Sequence, residues 1–176
     1  MSSDPAHQQR LTDSELPVLI SRMAAQLATP HYPSADRAAL KRHAPGQPPP
    51  LAFYRLWLRH LGVDLPAEGQ TAAWALLASG LASMGGGAHR QGRGLGRALA
   101  ESDYSEARLE RLLAADDDTC ERLFASLVRF LAAKGESFDW LDAGRLLLTR
   151  APDARETLHR RIAADFYRHL PRQDKD

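Results

Sequence analysis

The chain predicts an all-α protein, a helical bundle of about eight to nine helices with a smaller N-terminal helical lobe. β-Branched residues are scarce: Val18, Val63 and Val128 are the only valines, and Ile20 and Ile162 the only isoleucines. A sheet draws on such residues to fill its pleated faces. Leucine, alanine and arginine dominate instead, all good helix formers. Apolar residues also recur at three- and four-residue spacing along most of the length.

Residues 14–28 open with a helix whose inner face carries Leu16, Leu19, Ile20, Met23 and Leu27, with Pro17 in the first turn, where its missing N–H costs nothing. Pro30 and Pro33 end it, and Ser34 is expected to cap a short helix reaching His43. The proline-rich run 45–50 reads as a stiff linker. A helix over 52–61 turns Phe53, Leu56, Trp57 and Leu61 inward and stops at Gly62. The next, over 70–84, aligns Trp74, Leu77, Leu81 and Met84. Five glycines in 85–94 would cost a helix too much backbone entropy, so this stretch is expected to be a mobile loop. A short helix over 94–101 follows, with Leu95 and Leu99 inward.

Ser105 caps a helix carrying Leu109, Leu112 and Leu113. An aspartate among Asp116, Asp117 and Asp118 caps the next, where Leu123, Phe124, Leu127, Val128 and Leu131 form a broad apolar face before Gly135. Asp139 opens a helix with Trp140 and Leu146 to Leu148, and Asp153 the last, with Leu158, Ile162, Phe166 and Leu170 four apart. The expected organisation is an N-terminal lobe with its linker over 1–69, a four-helix-bundle core over 70–170 and a disordered tail over 171–176.

A length of 176 residues fits one domain or two small lobes sharing a core. The single cysteine, Cys120, rules out an intrachain disulfide and a cysteine-based zinc site. Residues 1–10 lack an apolar signal-peptide core. The most apolar run, 72–84, is shorter than the roughly 20 residues that span a bilayer. These features lead us to expect a soluble, cytoplasmic protein.

No catalytic constellation assembles. Gly87 and Gly92 have the spacing of a P-loop, but Arg93 and Gly94 stand where lysine and serine or threonine are required, and no strand precedes them. Gly92, Gly94 and Gly96 miss the dinucleotide fingerprint at Arg97. Asp116 to Asp118 suit a helix N-terminus better than a magnesium site. The seven histidines are scattered, and Cys120 has no basic neighbour. Neither an enzyme nor a metal or cofactor is expected.

The formal charge is +1, yet nearly all the positive charge is arginine, because Lys41, Lys134 and Lys175 are the only lysines. Arginine's planar fork suits phosphate, although a GC-rich genome also trades lysine for arginine. Arg37 and Lys41 are four apart with Arg42 adjoining, and Arg90, Arg93 and Arg97 form a run without an acid. Arg108 and Arg111 are three apart, Arg122 and Arg129 seven apart with Lys134 following, and Arg145 flanks an apolar run. Such stripes could merge into one surface that tracks a nucleic-acid backbone. Spacing alone supports solvated helix faces equally well.

Several segments, in order, resemble the CasB-type small subunit of the type I-E CRISPR Cascade complex. They are Ala52-Phe53-Tyr54-Arg55-Leu56 after the proline-rich linker, and Gly94-Leu95-Gly96-Arg97-Ala98-Leu99 after the loop. Glu106-Ala107-Arg108-Leu109 follows, then Leu112-Leu113-Ala114-Ala115-Asp116, Leu127-Val128-Arg129-Phe130-Leu131, Asp139-Trp140 and Arg145-Leu146-Leu147. The resemblance runs from about residue 35 to 170. Gly94 stands where family members tend to have serine, and the first thirty or so residues match poorly.

The resemblance implies a helical, non-catalytic subunit of an antiviral RNA-guided surveillance complex. Its implied partners are a second copy of itself, the Cascade backbone and large subunits, crRNA and displaced single-stranded DNA, whose R-loop it stabilises. Lys41, Arg42, Arg97, Arg108, Arg129 and Arg145 match basic positions of the family, and Arg90, Arg93 and Lys134 join them as candidate nucleic-acid contacts. The rival expectation is a helical protein–protein adaptor that binds no nucleic acid. A helix-turn-helix regulator fits least, because the turn at 115–118 is acidic where a phosphate backbone would lie.

Overall fold

The computed structural model describes residues 15–172. The expectations for 1–10 and for the last four residues of the tail lie outside them. Among the described residues the chain is all-α: nine α-helices, one π-helical segment and no strand. The helices are α1 (Leu16–Ala28), α2 (Ser34–Arg42), α3 (Leu51–Arg55, running into the π-helical segment Leu56–Leu61), α4 (Glu68–Met84), α5 (Leu95–Glu101), α6 (Glu106–Ala114), α7 (Asp117–Lys134), α8 (Trp140–Leu148) and α9 (Pro152–His169). None is long and apolar enough to cross a membrane.

Helix α4 lies at the centre. Every residue from Ala73 to Ala82 is buried, because α1, α2, α7 and α8 all pack around it. A helix buried on all sides has no polar stripe to display. The apolar core is continuous from Leu16 to Phe166, so the N-terminal helices and the bundle share it. Phe53, Trp57, Trp74 and Trp140 are all fully buried.

Local signals read from sequence recur as geometry. Ser105 Oγ accepts from Arg108 N, Asp116 Oδ1 from Thr119 N and Asp139 Oδ1 from Leu141 N. Gly62 and Gly135 end their helices at φ +64° and +67°, a region glycine enters without penalty.

Three local expectations need correction. Ser34 is the first helical residue rather than a cap. Pro33 occupies the cap position, where its ring presets φ at −55° and no side chain is needed to turn the chain. Similarly, Ala151 precedes α9 with Pro152 at its first position, so Asp153 lies one step inside. The helix expected over 52–61 widens into the π form at Leu56. There the Trp57 indole N–H reaches forward to the Asp64 carbonyl at 2.6 Å.

The largest departure is the glycine-rich stretch, which is pinned rather than mobile. His89 and Phe138 form an isolated parallel bridge. Arg90 N donates to Phe138 O at 2.9 Å, Phe138 N to Ala88 O at 3.3 Å and Asp139 N to Arg93 O at 2.7 Å. The Trp140 indole N–H donates to Ala88 O at 3.1 Å, and Trp140 N to His89 Nδ1 at 3.0 Å. Glycines at 85, 87 and 92 supply the positive φ that these turns demand.

The same strand-like segment delivers the chain into α5, which lies against α9. A Cβ on Gly96 would meet Phe166 N at 2.7 Å and Asp165 Cβ at 2.9 Å, and it would also press on the Ile162 carbonyl. Backbone atoms cannot move aside as a side-chain tip can. Gly96→Ala is therefore expected to destabilise the fold by about 1–3 kcal/mol, the usual cost of overpacking, read as a lowered urea midpoint at unchanged slope.

Candidate nucleic-acid interface

The cationic side chains proposed from sequence meet different fates, decided by where the carboxylates fall. Arg93 is buried, at 8% exposure. Its guanidinium binds Glu101 at 2.6 Å, Glu136 at 2.8 Å and the Ser137 carbonyl. Two carboxylates answer one cation, so Arg93 presents no free charge to a phosphate. It must be withdrawn from the candidate contacts. Its sequence surroundings hold no acid, but the fold brings one from α5 and another from the turn after α7. Arg97 also reaches Glu101, at 2.8 Å along one helical turn. Exposed on the helix surface, it shares that carboxylate with Arg93.

Arg145 lines a cleft with Asp139, Asp142 and Asp165 as well as Arg161 and Arg168. The acids there have work of their own. Asp142 accepts from Leu95 N at 2.9 Å and from Arg161 at 2.6 Å, and Asp165 accepts from Arg97 N at 2.8 Å. Gly94 leaves the room that Asp165 occupies: a Cβ at residue 94 would collide with that carboxylate. The cleft is therefore mixed in charge. Arg90 is exposed where it opens its turn, its carbonyl accepting from Arg93 N at 3.2 Å.

Lys41, Arg42 and Arg129 are brought together in a cleft of about 270 Å³. The rim comes from the last two residues of α2 and from α7. The floor is Leu76, Ser79, Gly80 and Ser83 of α4 with Phe124, Ala125 and Val128 of α7. Among the described residues no carboxylate lines it. The α2 C-terminus also favours positive charge, since its last carbonyls point that way. Ser79 Oγ donates to the His43 carbonyl at 3.2 Å, fixing the turn that follows Arg42. Burial holds the His43 imidazole below its ordinary value, so at neutral pH it adds no charge of its own.

Arg108 and Lys134 form a further basic pair beside Tyr104 and Phe130. Burial pushes the Tyr104 hydroxyl up, against the pull of Arg108 and Arg111. Sequence reasoning missed Phe130 and Tyr104 as members of this group, and it missed the serines and glycine of the cleft floor. A run of small residues, Ala78-Ser79-Gly80 and Ala82-Ser83, was the available sign that α4 is approached closely there.

The acidic run serves structure. Asp116 caps α7, and Asp117 takes both Arg155 and Arg150. The Arg155 guanidinium, with Arg150 beside it, holds the Asp117 carboxyl below the usual range. Among the described residues no group of three histidine, cysteine or acidic side chains is placed to hold a metal. Burial raises the Cys120 thiol to about 11, which leaves it protonated and unreactive at neutral pH.

Arg93 and Arg97 keep the Glu101 carboxyl below its ordinary value of 4.5. The native state therefore binds that proton less readily than the unfolded chain. The resulting stabilisation is full above the unfolded value and lost as pH falls through the lower native one. Arg93→Met is expected to cost about 2 kcal/mol at neutral pH, below the range for a fully buried pair because both carboxylates reach water. The deficit should shrink as pH drops below 4.5, measured by urea denaturation across that range. A deficit independent of pH would assign Arg93 to packing alone.

A family model described as CRISPR-associated protein Cse2 matches residues 36–167. The span begins in α2, ends in α9 and contains Lys41, Arg42, Arg90, Arg93, Arg97, Arg108, Arg129, Lys134 and Arg145. No curated protein and no solved structure matches the chain.

Proposed function

Because this chain belongs to the CRISPR-associated protein Cse2 family, the non-catalytic small subunit of type I-E Cascade, we propose that it binds nucleic acid through Lys41, Arg42 and Arg129 and so stabilises the R-loop. The acid-free cleft carries this reading. Three cations from two helices line it with no carboxylate among the described residues, whereas Arg93, Arg97 and Arg161 are each paired with at least one. Unmatched cations over a cleft favour a polyanion, and phosphate contacts of this kind need no base sequence.

Exchanging a DNA duplex for a guide–target hybrid is nearly neutral in free energy, so modest contacts to the displaced strand shift the balance. The subunit performs no chemistry in this scheme. It works in the cytoplasm for antiviral defence, beside a second copy of itself, the backbone and large subunits, and the crRNA. A formal charge of +1 implies weak binding by one copy and useful binding once copies align.

One observation favours the adaptor reading. Leu51 is 72% and Leu58 49% exposed, and with Tyr54 they line a shallow depression beside Arg55 and Arg59. Such a face suits a protein partner. A Cascade subunit needs protein contacts too, so the two readings separate only at the basic cleft.

The test is a triple Lys41→Gln, Arg42→Gln, Arg129→Gln chain in the reconstituted complex. R-loop yield should fall about tenfold or more, and the salt dependence of strand binding should become shallower by about two in log–log slope, as expected for three lost single-strand phosphate contacts. Normal assembly with unchanged yield and slope would leave the adaptor reading standing.

A further inference from the structure

Arg108 and Lys134 stand over a single aromatic pair. Tyr104 and Phe130 meet edge to face, centroids 5.2 Å apart and planes at 66°. The Arg108 guanidinium carbon lies 5.7 Å from the Tyr104 centroid and 5.8 Å from that of Phe130. Lys134 Nζ lies 5.7 Å from the Phe130 centroid. The backbone arranges this meeting. Asp103, at φ +60°, turns the chain out of α5, and Tyr104 N is held by the Leu99 carbonyl at 3.0 Å. Arg108 sits in the first turn of α6, while Phe130 and Lys134 share a face of the last turns of α7.

A second arginine lies over a ring elsewhere, and the contrast is informative. Arg37 covers Tyr32 at 5.5 Å, but its Nε and Nη2 are spent on the carbonyls of Leu27 and Thr29 at the end of α1. Arg37 is thus part of the fold. Arg108 is exposed, and among the described residues its side chain has no hydrogen bond and no ion pair. Its guanidinium lies 5.7 and 5.8 Å from the two ring centroids while the side chain remains exposed to solvent. Lys134 is exposed and likewise unmatched, so two cations share one ring without an acid.

The ligand that answers this arrangement needs a flat π-system for the guanidinium plane and a negative charge for Lys134. An unpaired nucleotide supplies both. A base inside a duplex does not, because its faces are already stacked. We infer that Arg108, seated on Tyr104 and Phe130 with Lys134 beside it, is a stacking platform for one nucleobase of a single strand. This inference rests on the nucleic-acid reading and adds a base contact to it. Charge alone, the expectation from sequence, then ceases to be the whole of the affinity.

The test compares two single-stranded DNA 20-mers, oligothymidine and a fully abasic strand of equal length, by fluorescence anisotropy at low salt. The protein is the full chain, alone and in the reconstituted complex. Wild type should prefer the thymidine strand by about fivefold or more, the weaker end of base–cation and base–aromatic stacking. Arg108→Lys keeps the charge and loses the plane, so it should lower thymidine binding to the abasic level and leave abasic binding unchanged. Phe130→Leu, checked for an intact fold by its thermal transition, should act in the same direction by loosening Arg108. Equal wild-type affinity for the two strands, or a preference that survives both substitutions, overturns the platform and leaves the basic cleft untouched. Failure of either strand to bind in either setting overturns both.

Discussion

The burial of Trp140 is the constraint on which the rest of the structure turns. Its ring is fully buried, stacked on Phe138 at 4.9 Å and met edge-on by Phe124 at 5.9 Å. An indole removed from water must still satisfy its N–H, and it does so on the Ala88 carbonyl. That bond, with the parallel bridge at His89, joins two segments about fifty residues apart. From it follow the path of the glycine-rich stretch, the burial of Arg93 and the placement of α5 on α9. Gly80 is part of the same arrangement: a Cβ there would lie 2.5 Å from the Trp140 ring.

The charge pattern follows from the same packing. A sequence with 23 basic and 22 acidic residues is close to balanced, so any surface with a net sign must be made by segregation. The fold segregates by using acids structurally. Asp36 is spent on Arg55, Asp117 on Arg150 and Arg155, and Glu101 on Arg93 and Arg97. Asp139 and Asp165 are spent on backbone N–H groups. Among the described residues, Lys41 and Arg42 at the end of α2, Arg129 and Lys134 on α7 and Arg108 in the first turn of α6 are left without an ion pair.

Much of the fold is legible in the sequence because its signals are local. The caps at Ser105, Asp116 and Asp139 and the glycine stops at 62 and 135 depend on residues within one turn. The helical class rests on composition and on apolar periodicity, both readable within short stretches. The ordering of residues 85–94 is illegible for the opposite reason. Its partners are Phe138 to Trp140, and glycine content reports the freedom of a chain, not what restrains it. Arg93 illustrates the same limit, since Glu136 is far from it in sequence. At the basic cleft, the cations are visible in the sequence. Their convergence is not, because Arg42 and Arg129 meet only through α4.

One further consequence concerns the cleft floor. Gly80, Phe124 and Val128 line it from within, and Gly80 and Phe124 also meet the Trp140 ring. The bottom of the groove is thus the outer skin of the core, one residue thick. Lys41, Arg42 and Arg129 project from the rim and can be exchanged with little repacking, so the sign and strength of the surface are freely adjustable. The depth of the groove is not: a side chain cannot be added at Gly80 without dislodging the indole beneath. Surface charge and groove shape are therefore separate variables in this protein, the first tuned one residue at a time and the second tied to the fold as a whole.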